Sequence, residues 1–279
     1  GAVLREVGAT NRTHLRDYQA ALGPETAAVL RCNPSNYRVI GFHKEVPVAE
    51  LAELKTGRPD LLVIDDLGCG NLVDLTAFGL PPEPTVQESL QAGADLVCFS
   101  GDKLISGPQA GIIVGRRELI QKIKKHPLSR MLRVCKLTDT ALEQTLRLFL
   151  EPERLPETNP TLRLLTLPLE ELERRGRSLL GRLQGGCPRL EARLARGESA
   201  TGGGSLPGVG IPSWIVSLRL PGTSADRLSL LLRRHEPPIV ARIEADEVHL
   251  DMRTLLPGDE DAIVAALARL VPSARKEAP

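Results

Sequence analysis

Two patterns of apolar and polar positions alternate through the first half of this chain. Short unbroken apolar runs, such as Leu61-Leu62-Val63-Ile64, are separated by stretches whose apolar residues recur three and four apart. Unbroken runs of four or five residues suit strands buried on both faces, and the longer spacing suits helices. Strands are therefore expected over 61–64, 95–99 and 111–114, with a further short apolar run at 27–30. Helices are expected over 46–54, where Pro47 suits the first turn, over 85–92, closed by Gly93, and over 116–125, broken before Pro127. Strands alternating with helices predict a mostly parallel sheet covered on both faces. Such sheets carry their chemistry at the carboxyl ends of the strands.

The second half begins with a strongly amphipathic helix over 137–150, followed by another from about Leu162 to Leu183. The alternation of Leu and Arg there suits one packed and one solvated face better than a nucleic-acid stripe. Residues 185–210 read as a Gly-rich loop. Gly202-Gly203-Gly204 lacks the Lys-Ser/Thr of a phosphate-binding loop and reads as flexible. Beyond it come a strand over 214–220, a helix over 225–234, a strand pair over 239–243 and 248–252, and a helix over 259–270 whose acidic first turn suits the helix dipole. The expected class is α/β, with a large domain over 1–150, a connecting helix over 151–185 and a small α+β domain over 186–279.

Composition narrows the function classes. A length of 279 residues fits about two domains. Aromatic residues are only 3%, so the core must be filled by Leu, Val, Ile and Ala. The net charge of +1 gives no global argument for a polyanion partner, so any such contact needs a local cluster. No apolar run approaches the roughly 20 residues of a membrane span. Five scattered cysteines without a C-x-x-C pair suit reduced thiols in the cytoplasm, and the five histidines suggest no zinc site. The opening Gly1-Ala2-Val3 has no Met, which suggests a missing upstream piece.

Three elements carry candidate chemistry. Lys103 lies in the Gly-rich turn Ser100-Gly101-Asp102-Lys103-Leu104-Ile105-Ser106-Gly107, between two expected strands. A partly desolvated lysine amine at a strand end is a nucleophile suited to the carbonyl of pyridoxal phosphate, and Ser100 offers a hydroxyl for the cofactor phosphate. A surface lysine in a turn fits the same loop equally well. Asp66 ends the strand Ile64-Asp65-Asp66, thirty-seven residues before Lys103. A carboxylate there suits the pyridinium nitrogen, whose protonation makes the ring an electron sink. A turn-forming or helix-capping Asp is the alternative. Strand-end Asp, helix, strand and then Lys is the order of the aspartate-aminotransferase type of pyridoxal phosphate fold. Arg130 and Arg133, three apart, would share a helix face and could grip one tetrahedral anion. A solvated basic face is the plainer alternative.

The motifs Glu6-Val7-Gly8-Ala9-Thr10-Asn11-Arg12, Ser35-Asn36-Tyr37, Asp66-Leu67-Gly68-Cys69-Gly70, Ser100-Gly101-Asp102-Lys103-Leu104 and Gly107-Pro108-Gln109-Ala110-Gly111 together resemble the bacterial selenocysteine synthases, the L-seryl-tRNA(Sec) selenium transferases. The resemblance covers most of residues 1–170 and, more loosely, the C-terminal domain. It implies that Lys103 holds pyridoxal phosphate, that Asp66 faces the pyridinium nitrogen, and that Arg130 and Arg133 bind the selenium-donor anion, selenophosphate. Asn36 matches a cofactor-proximal strand end. The Thr10 and Asp17 neighbourhood matches a region of contact between dimers, since the family forms a ring of dimers. The implied reaction converts seryl-tRNA(Sec) to selenocysteinyl-tRNA(Sec) through a dehydroalanyl intermediate. Ser106 departs from the family's usual Gly, Cys69 from a small Ser-like residue and Cys135 from an acidic one. The family's tRNA-binding domain and its phosphate-cradling loop have no counterpart here. A pyridoxal phosphate lyase acting on a small amino acid or amino-sugar acid is one alternative, and an inactive truncated chain is another.

Overall fold

The computed structural model describes residues 1–8 and 11–270. Thr10 therefore lies outside the described residues. The chain forms two compact units. The first comprises Gly1–Arg163 together with Thr201–Val209, and the second begins with Leu164–Ala200 and resumes at Gly210.

The first unit is built on a four-stranded sheet, β1 (Ala28–Cys32), β2 (Leu62–Gly68), β3 (Leu96–Ser100) and β4 (Gly111–Gly115), in that spatial order. The first three strands run parallel and β4 runs antiparallel to β3. One face is dry. Val29, Val63, Leu67, Val97 and Phe99 pack there against Val48 and Leu51 of one helix and Val86 of another. The expectation of burial on both faces does not hold. Burial alternates along β2, and the opposite face keeps Leu30 50% and Ile113 44% exposed. The apolar runs are continuous in sequence, yet among the described residues only one face receives a full helical layer.

The second unit carries an antiparallel sheet of β5 (Glu191–Ser199), β6 (Ile211–Arg219), β7 (Arg242–Glu244) and β8 (Glu247–Asp251), ordered β5-β6-β8-β7. Helices Leu169–Gly186, Ala225–Arg233 and Asp259–Leu270 contribute Leu172, Leu179, Leu228, Leu232, Ile263 and Leu267 to one core with Val216, Leu218, Val248 and Met252. Ala245 and Asp246, between β7 and β8, both have φ near +50° to +60° (49° and 59°), as a two-residue type I′ turn demands.

Three sequence expectations need correction. The segment 185–210 is not all loop, because β5 runs through it. Its large apolar residues are few, and its charged residues fall on both faces, with Arg193 paired to Glu247 on one and Arg196 lying over the Trp214 ring on the other. The helix expected over 162–183 is two helices, Pro160–Thr166 and Leu169–Gly186. Pro168 is extended at φ −62°, ψ 143°, and it has no N–H to continue the helical ladder. Arg253 Nη1 fills the gap by donating to the carbonyls of Leu164, Leu165 and Leu167. The strand expected over 239–243 is confined to Arg242–Glu244.

Candidate active site

The carboxyl end of β2 presents two adjacent aspartates to opposite faces of the sheet. Asp65 is fully buried on the dry face, where it accepts from Arg31 Nη1 at 2.9 Å and from Ser89 Oγ at 2.7 Å. Its charge is matched there, so its role is to tie β1 and a helix to β2. Asp66 points to the half-open face. It accepts from the Gly68 N–H at 3.1 Å, and no cation pairs with it among the described residues. Its ladder partners are Cys32 on β1 and Cys98 on β3. Burial, reinforced by the Asp66 charge, pushes both flanking thiols above their ordinary range. Both thiols are thereby kept in their neutral form.

Asp66 lines a cavity of about 1010 Å³ together with Cys98, Ser100, Gly111, Ile113, Arg133, Cys135 and Lys136. Ser100 lies on the same face of β3 as Cys98, two residues along the strand. Sequence reasoning placed Asp66 and Ser100 together, and the cavity contains both.

Lys103 follows Ser100 in a turn held by its own backbone. Gly101 N–H donates to Ala110 O at 2.9 Å, Gly107 N–H to Gly101 O at 2.8 Å and Ser106 N–H to Lys103 O at 2.9 Å. Leu104 and Ile105 plug the turn into the core, and buried Asn159 donates to Ile105 O at 2.9 Å. Ser106 sits at φ +66°, a conformation that favours glycine, which accounts for glycine being usual there in the resembling pattern. The half-buried Lys103 side chain turns toward Ser35, donating from Nζ to Oγ at 3.5 Å. It is not among the residues lining the cavity that holds Asp66.

Arg130 and Arg133 do not share a helix face. The helix Pro127–Leu132 contains Arg130, but Arg133 is already extended at ψ 144°. Both are exposed, and neither meets a carboxylate among the described residues. Arg133 lines the cavity and Arg130 does not. Asn36 is exposed, one residue beyond buried Ser35. Ser35 stands in the Ser35-Asn36-Tyr37 motif, but nothing in the sequence marks its hydroxyl as a partner of Lys103. It meets Lys103 only because the fold brings together positions 68 apart in the chain.

The remaining thiols differ in reactivity. Burial, then the charge of Glu83, pushes Cys69 up to about 11. Cys135 is exposed at the start of the helix Lys136–Leu148, where the Thr138 hydroxyl and then the Thr138 and Leu137 amides hold it below its ordinary value. At pH 7 roughly one Cys69 in ten thousand is thiolate. A maleimide added at that pH is expected to modify Cys135 well before Cys69, as read by peptide mass mapping. Cys69 should react only once the chain is unfolded.

A family model described as L-seryl-tRNA selenium transferase matches residues 1–256. The chain belongs to that family. A relative from Nitratidesulfovibrio vulgaris, named L-seryl-tRNA(Sec) selenium transferase, is 52% identical over 258 residues, covering 91% of this chain and 54% of its own length. One of the same name from Solidesulfovibrio magneticus is 50% identical over 272 residues, covering 96% and 58%. The chain thus spans a little over half the length of the selenium transferases it matches. A solved D-glucosaminate-6-phosphate ammonia-lyase superposes on 96% of this chain and 64% of its own, with a TM-score of 0.60 at 20% identity. That likeness is one of fold, and it bears out the α/β class expected from the sequence. Among the described residues, no helix is long and apolar enough to cross a membrane.

The donor set suits pyridoxal phosphate. Asp66 is a carboxylate without a cation partner, on the same cavity as the Ser100 hydroxyl. Lys103 is a primary amine whose side-chain bond to Ser35 is long at 3.5 Å and readily given up.

Proposed function

We infer that the complete protein containing this chain converts seryl-tRNA(Sec) to selenocysteinyl-tRNA(Sec), using pyridoxal phosphate as cofactor and selenophosphate as selenium donor. The seryl hydroxyl would leave as water to give a dehydroalanyl group on the tRNA, selenophosphate would add its selenium at Cβ, and water would then cut the Se–P bond and release phosphate. Family membership supports the overall reaction. The observation that carries the site is the contrast between the two adjacent aspartates. Asp65 is neutralised by Arg31, whereas Asp66 faces the cavity with no cation of its own.

Bound pyridoxal phosphate supplies an electron sink for charge developing at the substrate Cα. The residues of this chain do the rest. Asp66 would hold the proton on the ring nitrogen. Ser100 would donate its hydroxyl to the phosphate, and Asn36 would stand at the cofactor's edge. Lys103 would bind the cofactor carbonyl and, once displaced by the substrate amine, would take the proton from Cα as a general base. Arg130 and Arg133, free of carboxylates, would orient the selenophosphate anion. The half-open face of the sheet and the family relationship support a homo-oligomer built on dimers, working in the cytoplasm.

The arginines give the test. In the complete protein, the double substitution Arg130→Ala, Arg133→Ala is expected to lower selenium transfer about 100-fold or more while leaving cofactor binding intact. If transfer is unchanged, the donor-binding role is wrong. If the protein turns over a small amino acid and binds no tRNA, a lyase is the correct reading.

A further inference from the structure

The Gly-rich segment that reads as flexible is partly buried. Gly204, Ser205 and Leu206 are all buried in the first unit. Leu206 N–H donates to Glu83 Oε1 at 2.9 Å, and Thr201 Oγ1 donates to Ser205 O at 2.5 Å. Gly204, at φ +97°, lies directly on the Lys103 side chain. A Cβ at that position would stand 2.5 Å from Cε, 2.7 Å from Cδ and 2.8 Å from Nζ. A Cβ on Gly203 would reach Asn36 Oδ1 at 3.6 Å. Backbone bare of side chain therefore forms one wall of the space that Lys103 occupies, and Ser35 stands at the other.

A lysine side chain has four rotatable methylene links, and packing against Cδ and Cε removes most of their freedom. What holds the wall in place therefore sets where the amine points. Glu83 is 123 positions from Leu206 in the chain and half-buried, so its hydrogen bond is charge-assisted and partly shielded from water.

We propose that Glu83 is a positioning residue for Lys103: its carboxylate latches the strap Gly202–Leu206, and the strap's backbone fixes the direction of the lysine amine. Glu83 touches none of the reacting atoms. The proposal rests on the reading of Lys103 as the reactive lysine.

The experiment compares Glu83→Ala and Glu83→Gln in the 279-residue chain. It reads hydrogen exchange at the Leu206 amide and the rate at which added pyridoxal phosphate followed by borohydride labels Lys103. Loss of a charged hydrogen bond predicts Leu206 exchange at least about tenfold faster in Glu83→Ala. Lys103 labelling should slow by about tenfold in the same variant. Glu83→Gln keeps an oxygen that accepts from the Leu206 N–H, and should hold both rates within about threefold of the unsubstituted chain. Unchanged Leu206 exchange in Glu83→Ala overturns the latch. Faster exchange with labelling at the original rate overturns the link from strap to lysine. Label on a different lysine in the unsubstituted chain overturns the functional reading instead, and the latch is then decided by Leu206 exchange alone.

Discussion

Lys103→Ala is expected to abolish covalent capture of pyridoxal phosphate and to lower selenium transfer by about 1000-fold or more in the complete protein. The nucleophile for the cofactor and the general base for the Cα proton would leave together. The loss should not come from unfolding. The turn is held by the backbone bonds of Gly101, Ser106 and Gly107 and by the buried side chains of Leu104 and Ile105. None of these depends on the lysine amine, whose bond to Ser35 is long at 3.5 Å. The loss of Cδ and Cε packing against Gly204 should cost no more than about 1–2 kcal/mol, too little to unfold the chain. A urea titration beside the absorbance and turnover measurements separates the two effects.

Asp66→Asn carries the second large effect. The substitution keeps the shape and the oxygen that accepts from Gly68 N–H, but removes the charge. In the proposed role of Asp66, the ring nitrogen would then lose the partner that keeps it protonated, and turnover should fall about 100-fold to 1000-fold. The neighbouring substitution gives the internal control. Asp65→Asn leaves Arg31 facing a neutral group in a site where Asp65 itself has no exposure. Removing one side of such a buried pair costs about 3 kcal/mol of stability. It should leave the cofactor's spectrum intact wherever the chain remains folded. Equal effects of the two substitutions on turnover, at equal stability, would contradict the assignment of opposite faces to opposite roles.

These assignments were legible to unequal degrees. β2 and β3 stand out because a run such as Leu61-Leu62-Val63-Ile64 has no solvated position to confuse its period. The choice of Asp66 over Asp65 follows from the pleat, which sends neighbours to opposite faces once β2 pairs with β1 and β3. β5 is hidden because Leu194 is its one large apolar residue and its charged residues fall on both faces, so no period of two shows. The break at Pro168 is written in the chain, but the Leu/Arg periodicity on either side outweighs a single proline. Arg130 and Arg133 have helical spacing, yet the helix ends between them at Leu132. The contacts around Lys103 are the least legible. Ser35, Glu83 and Gly204 come from three distant segments, and local pattern carries no information about a pairing 123 residues apart. A triglycine in sequence signals only freedom of the backbone. Its tight approach to the lysine chain becomes visible when the fold is assembled.

Capture of the cofactor by Lys103 has one direct test. The chain is mixed with pyridoxal phosphate, reduced with borohydride, digested and mapped by mass spectrometry. A single modified peptide is expected, with the added mass on Lys103 at a stoichiometry of about one per chain. Label spread over the exposed lysines, or concentrated on any residue other than Lys103, would contradict it.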